Sequence, residues 1–285
     1  MRISLCLALL LISLSSGGQT ARDQFEANPE LAKGIYYIND YSAVPKTRAP
    51  RGYKAVCISH YARHGARFQG DDEAYRNALE PLAKAYEANA LNDYGKNVYR
   101  KMSSYYESCR GRHGDLTPLG WEQQQSLARQ MYTLYPEIFK KNPTITATSS
   151  LVTRCIMSMS AFGMGLKSMD PGLEIYEEAS RSKLDGTNPG DRQNVNYVKT
   201  EVEDNPWGLT YSDYQKRRIP DEEGERIVSR LFDDKEFMKA EINCRSLASA
   251  LYNFIIGMGC LDTDIRIDDL FTDGEMLDYY DVLNF

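Results

Sequence analysis

The sequence predicts an α/β fold in which a mainly parallel sheet is flanked by helices. Three short runs, at 54–59 (KAVCIS), 144–148 (TITAT) and 173–176 (LEIY), have the length and composition of buried strands. Each run follows a proline or glycine, and helical patterns alternate with the runs along the chain. Strand followed by helix, repeated, is typical of a parallel sheet with helices on its faces.

Three helices are expected beside these strands. The pattern at 75–90 has apolar residues at helical spacing, although Pro81 inside it would kink or end a helix. A second helix opens at Thr117, a good N-cap, followed by proline, a good first helical residue, and runs to about residue 135. A third helix is expected at 150–166, directly after the second strand.

The last third of the chain differs from the rest, because its patterns are helical with no convincing strand. Its most apolar helix is expected at 247–258, and surface connections are expected at 208–215 and 221–225. We therefore predict a signal peptide at 1–20, an α/β core at 21–200 with a helical insertion near 70–110, and a mainly helical cap at 201–285.

The first residues have the pattern of a secretory signal. Arg2 precedes an apolar run at 5–14, and small residues follow at 15–18. The run is too short to span a bilayer as a helix. The alternative interpretation, an N-terminal helix of the protein core, would need amphipathic spacing, and the run has none. We therefore expect a secreted or periplasmic protein that is free of the membrane once the signal is removed.

Five cysteines would remain after removal of the signal: Cys57, Cys109, Cys155, Cys244 and Cys260. An exported protein can keep disulfides, but an odd number leaves at least one thiol free. Cys244 and Cys260 could pair, and the sequence does not decide whether they do.

The net charge argues against a nucleic-acid partner. The formal charge is −6, from 40 acidic and 34 basic residues, whereas nucleic-acid binders usually carry a basic excess. An anionic ligand would therefore need a local cluster of positive charge. The oligomeric state is left open.

Residues 60–68 (HYARHGARF) form such a cluster, directly after the first predicted strand. Ligands of open α/β sheets bind at the carboxyl ends of the strands. Arg63 and Arg67 would make bidentate bonds to phosphate oxygens, and Gly65 would let the backbone come close. His64 between them would be placed to attack phosphorus.

Two other interpretations of this cluster remain open. The arginines could be a solvated surface pair with His64 a satisfied polar residue. A metal site is disfavoured because His60 and His64, four apart, would share a face only on a helix, and no glutamate follows His60. We expect no metal or other cofactor.

The segment Arg63–Arg67 (RHGAR) resembles the RHGxR signature of the histidine phosphatase superfamily, in the acid phosphatase and phytase branch that includes multiple inositol-polyphosphate phosphatases. The resemblance implies a phosphomonoesterase for inositol polyphosphates or related small phosphate esters. It also implies that His64 is the nucleophile, phosphorylated as an intermediate, and that both arginines bind the phosphate. Gln69 stands where the family usually has proline.

Two further segments carry the resemblance. Residues 114–124 (GDLTPLGWEQQ) resemble the family's G-x-L-T-x-x-G-x-x-Q segment, and 149–160 (SSLVTRCIMSMS) the segment that supplies a third phosphate-binding arginine, here Arg154. Arg181 and Lys183 follow the third strand and are expected to meet the substrate beyond the reacting phosphate.

A late HD or HAE motif, which in the family binds phosphate and protonates the leaving oxygen, is not matched. The chain has three histidines, and none follows His113, which belongs to a second RHG triplet that no strand precedes and that we interpret as incidental. The expected explanations are a truncated chain without its final strand, a divergent enzyme that uses another acid (Glu177, Glu178 or Asp185), or a non-catalytic phosphate-ester binding protein.

Overall fold

A computed structural model describes residues 21–37, 46–181, 210–261, 263–267 and 269–284. These residues form two β-strands, β1 (Thr144–Ser149) and β2 (Glu174–Ala179), and a 3₁₀ helix at Pro29–Tyr36. The α-helices among them are α1 (Ala21–Ala27), α2 (Glu73–Glu87), α3 (Asp93–Cys109), α4 (Pro118–Leu134), α5 (Pro136–Phe139), α6 (Thr153–Met169), α7 (Tyr211–Arg218), α8 (Asp221–Ser229), α9 (Lys235–Glu241), α10 (Cys244–Met258) and α11 (Asp273–Leu283).

The sheet is parallel, and α6 makes the crossover between its two strands. β1 pairs with β2 in a register that runs from Thr144 opposite Glu174 to Ser149 opposite Ala179. α4 packs against α6 on this sheet. The α/β fold with a parallel sheet is thus confirmed, and the strand bounds differ from those predicted by one to three residues.

The predicted strand at 54–59 is wrong. This segment has no regular secondary structure and no strand partner among the described residues, and Val56 is 74% exposed. A cavity of about 420 Å³ is lined both by residues 56–58 and by β1. With a cavity next to it instead of a strand, the segment forms no ladder of hydrogen bonds, although Ala55 and Ile58 pack against the core beside the sheet.

The helices around the sheet follow the predicted pattern. Thr117 caps α4, since its hydroxyl accepts a hydrogen bond from the Gly120 N–H at 3.1 Å. α2 continues through Pro81, because its face of Tyr75, Leu79 and Leu82 is buried against α10. Tertiary packing of an apolar face outweighs the hydrogen bond that the proline removes.

Two predicted surface connections are helices instead. Residues 211–215 lie in α7, which begins with a capping box between Thr210 and Asp213. Residues 221–225 open α8, where Asp221, Glu222 and Glu223 in the first turn interact favourably with the helix dipole. α7 is too polar for an apolar periodicity to indicate it, and the buried apolar residues of α8, Ile227 and Val228, come after the acidic segment 221–225.

The described residues pack around two cores. The larger core joins α2 and α3 with α8, α9, α10 and α11, so the helices near 70–110 and the last third of the chain share one interior. The smaller core lies beside the sheet and contains Ala128, Leu166 and Leu173. The RHGAR loop (residues 63–67) is followed by Phe68, which is buried in the larger core.

The cysteines at 57, 109, 155, 244 and 260 are all free thiols, so Cys244 and Cys260 do not pair. Within the described residues, no helix combines the length and apolar character needed to cross a membrane. The predicted signal peptide, Lys183 and Asp185 lie outside the described residues.

Candidate active site

The RHGAR loop is held by antiparallel pairing with the segment at 114–117. The Phe68 N–H donates to the Asp115 carbonyl at 3.0 Å, and the Thr117 N–H donates to the Ala66 carbonyl at 3.0 Å. These two hydrogen bonds make Arg67 and Leu116 the partners of an antiparallel β-bridge. This pairing gives the G-x-L-T motif a physical role, since it fixes the conformation of the loop.

Side chains from α4 and α6 form hydrogen bonds with three further backbone groups of the loop. The Gly65 N–H donates to the Ser158 hydroxyl at 3.1 Å, and the Ala66 N–H donates to Gln123 Oε1 at 2.9 Å. Gln124 Nε2 donates to the Arg63 carbonyl at 3.2 Å. The loop is therefore built into the two helices that flank the sheet, and Ser158 and Gln123 were not among the predicted site residues.

The imidazole of His64 is held in one tautomer. Its Nδ1 lies 2.8 Å from the Gly65 carbonyl oxygen, which is only an acceptor, so Nδ1 carries the proton. In the neutral ring this leaves Nε2 with a free lone pair. A half-buried histidine with an unprotonated Nε2 has the form that a nucleophile needs.

Burial and three arginines keep this imidazole neutral. Burial is the largest cause that lowers the pKa of His64 below its usual value, and the charges of Arg154, Arg63 and Arg67 lower it further, while the Gly65 carbonyl raises it. All three predicted arginines therefore lie close enough to act on His64. That they bind one phosphate stays a prediction.

The guanidinium groups of Arg67 and Arg154 each donate one hydrogen bond to a backbone carbonyl. Arg67 donates from Nη1 to the Phe68 carbonyl at 2.7 Å, and Arg154 donates from Nη1 to the Gly114 carbonyl at 3.3 Å. The buried Nε of Arg154 finds no hydrogen-bond partner within the described part of the chain. A buried, unpaired guanidinium N–H beside two other arginines is what an anion site requires.

The cavity beside the RHGAR loop is lined by both polar and apolar side chains. Arg63, His64 and Ser158 line it together with Ser149, the last residue of β1, and Ser150. His60 stacks on Phe162 at 5.1 Å between ring centroids. Among the described residues, no three His, Cys, Asp or Glu side chains converge in the way a metal site needs.

The remaining predicted residues are placed at the edges of the site. Arg181 is exposed and lies two residues after β2. The two strands end side by side, at Ser149 and Ala179, so Arg181 follows the carboxyl end of the sheet. Its role in substrate binding stays a prediction. Glu177 accepts a hydrogen bond from Ser160 at 2.9 Å, and Glu178 accepts one from Ser180 at 2.7 Å. His113 is exposed in the turn of the second RHG triplet.

The dependence of the His64 pKa on arginine charge can be measured directly. We expect Arg154→Gln to raise the pKa of His64 toward its ordinary value, because one of the charges that disfavour the imidazolium is removed. A pH titration followed by NMR of the histidine ring protons gives this pKa.

His60 is the internal control for that titration. Its pKa is lowered by burial alone, so it should titrate identically in wild type and in Arg154→Gln. Arg110→Gln, which removes a charge paired with Glu107, should move neither histidine. A His64 pKa unchanged in Arg154→Gln would place that guanidinium outside the site.

Comparisons with known proteins identify the family of this chain. A family model described as histidine phosphatase superfamily (branch 2) matches residues 59–244. Multiple inositol polyphosphate phosphatase 1 of Gallus gallus is 28% identical over 170 residues, which are 58% of this chain and 37% of that protein.

Crystal structures of the Bifidobacterium longum multiple inositol polyphosphate phosphatase share the fold. The apo form aligns with a TM-score of 0.61 at 16% identity, and the complex with inositol hexasulfate with a TM-score of 0.62 at 17% identity. Each alignment covers 86% of this chain, and 64% and 66% of those chains. The chain thus spans just over a third of the Gallus gallus relative and under two thirds of these structures. Because the family model matches more than half of the chain and His64 lies within it, the chain belongs to branch 2 of the histidine phosphatase superfamily.

Proposed function

We propose that this chain is a phosphomonoesterase that works through a phosphohistidine at His64. The observation that carries the proposal is the tautomer: Nδ1 donates to the Gly65 carbonyl, which leaves Nε2 free beside three arginines. Export, which the N-terminal sequence predicts, is part of the proposal.

The reaction proceeds in two steps that follow from these groups. Nε2 of His64 attacks phosphorus, the bond between phosphorus and the ester oxygen breaks, and the alkoxide that leaves takes a proton from water. Water then attacks the phosphohistidine, the phosphorus–nitrogen bond breaks, and inorganic phosphate is released. Arg63, Arg67 and Arg154 would neutralise the phosphate oxygens in both steps, and the Gly65 carbonyl would stabilise the charged ring.

Inositol polyphosphates are the proposed substrates. The Gallus gallus relative is named for these molecules, and the Bifidobacterium longum enzyme has been crystallised with inositol hexasulfate and with phosphate. In this chain, Arg181 stands at the sheet edge where further phosphate groups of such a substrate would lie. A non-catalytic phosphate-ester binding protein is the second candidate, because the arginines around His64 would bind a phosphate group whether or not a proton donor is present.

A comparison of leaving groups tests the proposal and separates the two candidates. We expect the 285-residue chain, after signal removal, to bind inorganic phosphate and to hydrolyse p-nitrophenyl phosphate better than inositol hexakisphosphate, relative to the Bifidobacterium longum enzyme. An inositol alkoxide leaves slowly without a proton donor, and loss of a general acid costs about 10²–10⁴-fold in rate. p-Nitrophenolate needs no proton to leave.

The measurement is a side-by-side assay of phosphate release at mildly acidic pH, with phosphate affinity determined by calorimetry. Phosphate binding without turnover of either ester would favour the binding protein. Hydrolysis of inositol hexakisphosphate as fast as by the Bifidobacterium longum enzyme would show that another residue donates the proton. A chain that neither binds phosphate nor turns over either ester would contradict both candidates.

A further inference from the structure

The second RHG triplet forms a tight turn beside the RHGAR loop. The Asp115 N–H donates to the Arg112 carbonyl at 3.1 Å, which closes a four-residue turn over His113 and Gly114. Gly114, the third residue of the turn, has a φ of +77°, whereas the φ of His113 is not positive. A positive φ at the third position alone is the pattern of a type II turn, which favours glycine there. The glycine of this triplet therefore has a conformational role.

Two contacts fix this turn against the RHGAR loop and the residues that follow it. The Gly114 N–H donates to the Gln69 carbonyl at 2.7 Å, which adds a hydrogen bond to the antiparallel pairing of the two segments. The guanidinium of Arg112 lies over the ring of the buried Phe68, 4.6 Å from its centroid, and pairs with Asp115 at 3.7 Å. The position of Gly114 is therefore set by the chain directly after the loop.

The carbonyl of Gly114 contacts the third arginine of the site. It accepts a hydrogen bond from Arg154 Nη1 at 3.3 Å, and a Cβ added at Gly114 would lie 3.6 Å from the same nitrogen. The Nε of this guanidinium is buried and has no partner in the described part of the chain. The hydrogen bond to Gly114 is thus what orients the group.

α6 presents Arg154 on the face that contacts the RHGAR loop. Arg154 and Ser158 are four residues apart, so their side chains lie on the same side of the helix. Ser158 accepts from the Gly65 N–H at 3.1 Å, next to His64, while Arg154 reaches the turn. Consistent with this placement, the charge of Arg154 lowers the pKa of His64 more than the charge of either loop arginine does.

We infer that Gly114 is a positioning residue: its carbonyl, presented by the type II turn, holds the Arg154 guanidinium beside His64 and leaves the buried Nε free for the phosphate. The second RHG triplet thus serves the first by orienting the third arginine. The part of the inference that concerns phosphate rests on the proposed function.

Gly114→Ala tests this role through backbone conformation. An added Cβ would make only ordinary contacts, 3.6 Å from Arg154 Nη1 and 3.7 Å from the Gly70 carbonyl oxygen, but alanine disfavours a φ of +77°. We expect the dissociation constant for inorganic phosphate, measured by calorimetry, to rise roughly tenfold, the low end of what one hydrogen bond to a charged group contributes. Gly114→Asn, which tolerates a positive φ better, should keep most of the affinity.

Gly111→Ala is the matched control. Gly111 has a similar φ of +73°, and nothing lies within 4 Å of an added Cβ there. The two alanine variants therefore introduce the same kind of backbone strain in neighbouring turns, but only Gly114 contacts Arg154. Gly111→Ala should keep wild-type phosphate affinity even where its stability falls as much as that of Gly114→Ala.

Two measurements show whether the effect acts through Arg154. Gly114→Ala should raise the pKa of His64, followed by NMR, in the same direction as Arg154→Gln, whereas Gly111→Ala should leave it unchanged. In a double-mutant cycle, Gly114→Ala should have no further effect on phosphate affinity in an Arg154→Gln background.

Arg112→Met keeps the inference testable if Gly114→Ala does not fold. The variant removes the guanidinium that lies over Phe68, and the side chain is half-exposed, so the fold should be retained. Phosphate binding should weaken, again with no further effect in the Arg154→Gln background. The control is Arg110→Met, which removes a guanidinium that lies over Tyr106 and pairs with Glu107.

The outcomes separate this inference from the proposed function. A wild type that binds phosphate, with Gly114→Ala equal to Gly111→Ala in phosphate affinity and in the pKa of His64, overturns the inference alone. An equal loss from Gly114→Ala or Arg112→Met in the Arg154→Gln background also overturns it. A wild type that binds no phosphate overturns the proposed function, and the pKa of His64 in Gly114→Ala then decides by itself whether the turn holds Arg154.

Discussion

His64→Ala should reduce phosphatase activity to background and abolish the acid-labile phosphoenzyme. The variant removes the atom that we propose forms the bond to phosphorus, and the three arginines cannot replace a nucleophile. Loss of the nucleophile in a covalent hydrolase costs on the order of 10⁶-fold in kcat. The measurement is steady-state release of phosphate from p-nitrophenyl phosphate, beside rapid alkaline quench to trap the phosphoenzyme.

The chain supplies a matched control in its second RHG triplet. His113 has the same neighbours in sequence, Arg112 and Gly114, but is exposed and lies in the turn that pairs with the RHGAR loop. His113→Ala should keep nearly full activity and a normal phosphoenzyme. Phosphate affinity should survive in His64→Ala, because the arginines remain. Undiminished turnover in His64→Ala would exclude this histidine as the nucleophile.

Local patterns explain why much of the site could be predicted from the sequence. The RHGAR loop concentrates two guanidiniums and an imidazole within five residues, and Arg154 follows a strand that the composition of 144–148 indicates. Thr117 followed by proline is a capping signal that acts within one turn. In each case the information lies in a few adjacent residues.

The features that the sequence missed depend on distant partners. Residues 54–59 have strand composition, but a strand exists only where another strand pairs with it, and here a cavity lies beside the segment. α7 has no apolar face, and its only local signal is the capping box at Thr210. Ser158 lies in the segment 149–160, but no local pattern shows that its hydroxyl reaches the RHGAR loop, because that contact arises from the packing of α6 against the loop.

Gly65→Ala and Gly120→Ala should each damage both the stability and the site. The backbone of the RHGAR loop and the first turn of α4 are in direct contact: a Cβ at Gly65 would lie 2.2 Å from the Gly120 carbonyl oxygen, and a Cβ at Gly120 would lie 2.1 Å from the Ala66 carbonyl oxygen. Both obstacles are backbone atoms, which cannot rotate away, so the loop and the helix must separate.

That separation has two measurable consequences. Overpacking in a tight interior costs about 3 kcal/mol in the free energy of unfolding, toward the upper end of the common range. A displacement of His64 by about 1 Å would lower turnover by roughly 10²-fold. Urea unfolding gives the first quantity, and kcat for p-nitrophenyl phosphate gives the second.

Gly259→Ala is the control for these variants, because nothing lies within 4 Å of an added Cβ there and its φ is negative. A glycine replaced by alanine at a compatible position stabilises by about 0.4–1 kcal/mol, through the lower entropy of the unfolded chain. Gly259→Ala should therefore be as stable as wild type or slightly more so, with full activity. If Gly65→Ala unfolded at the same urea concentration as Gly259→Ala and kept its turnover, the close approach of loop and helix would not be what positions His64.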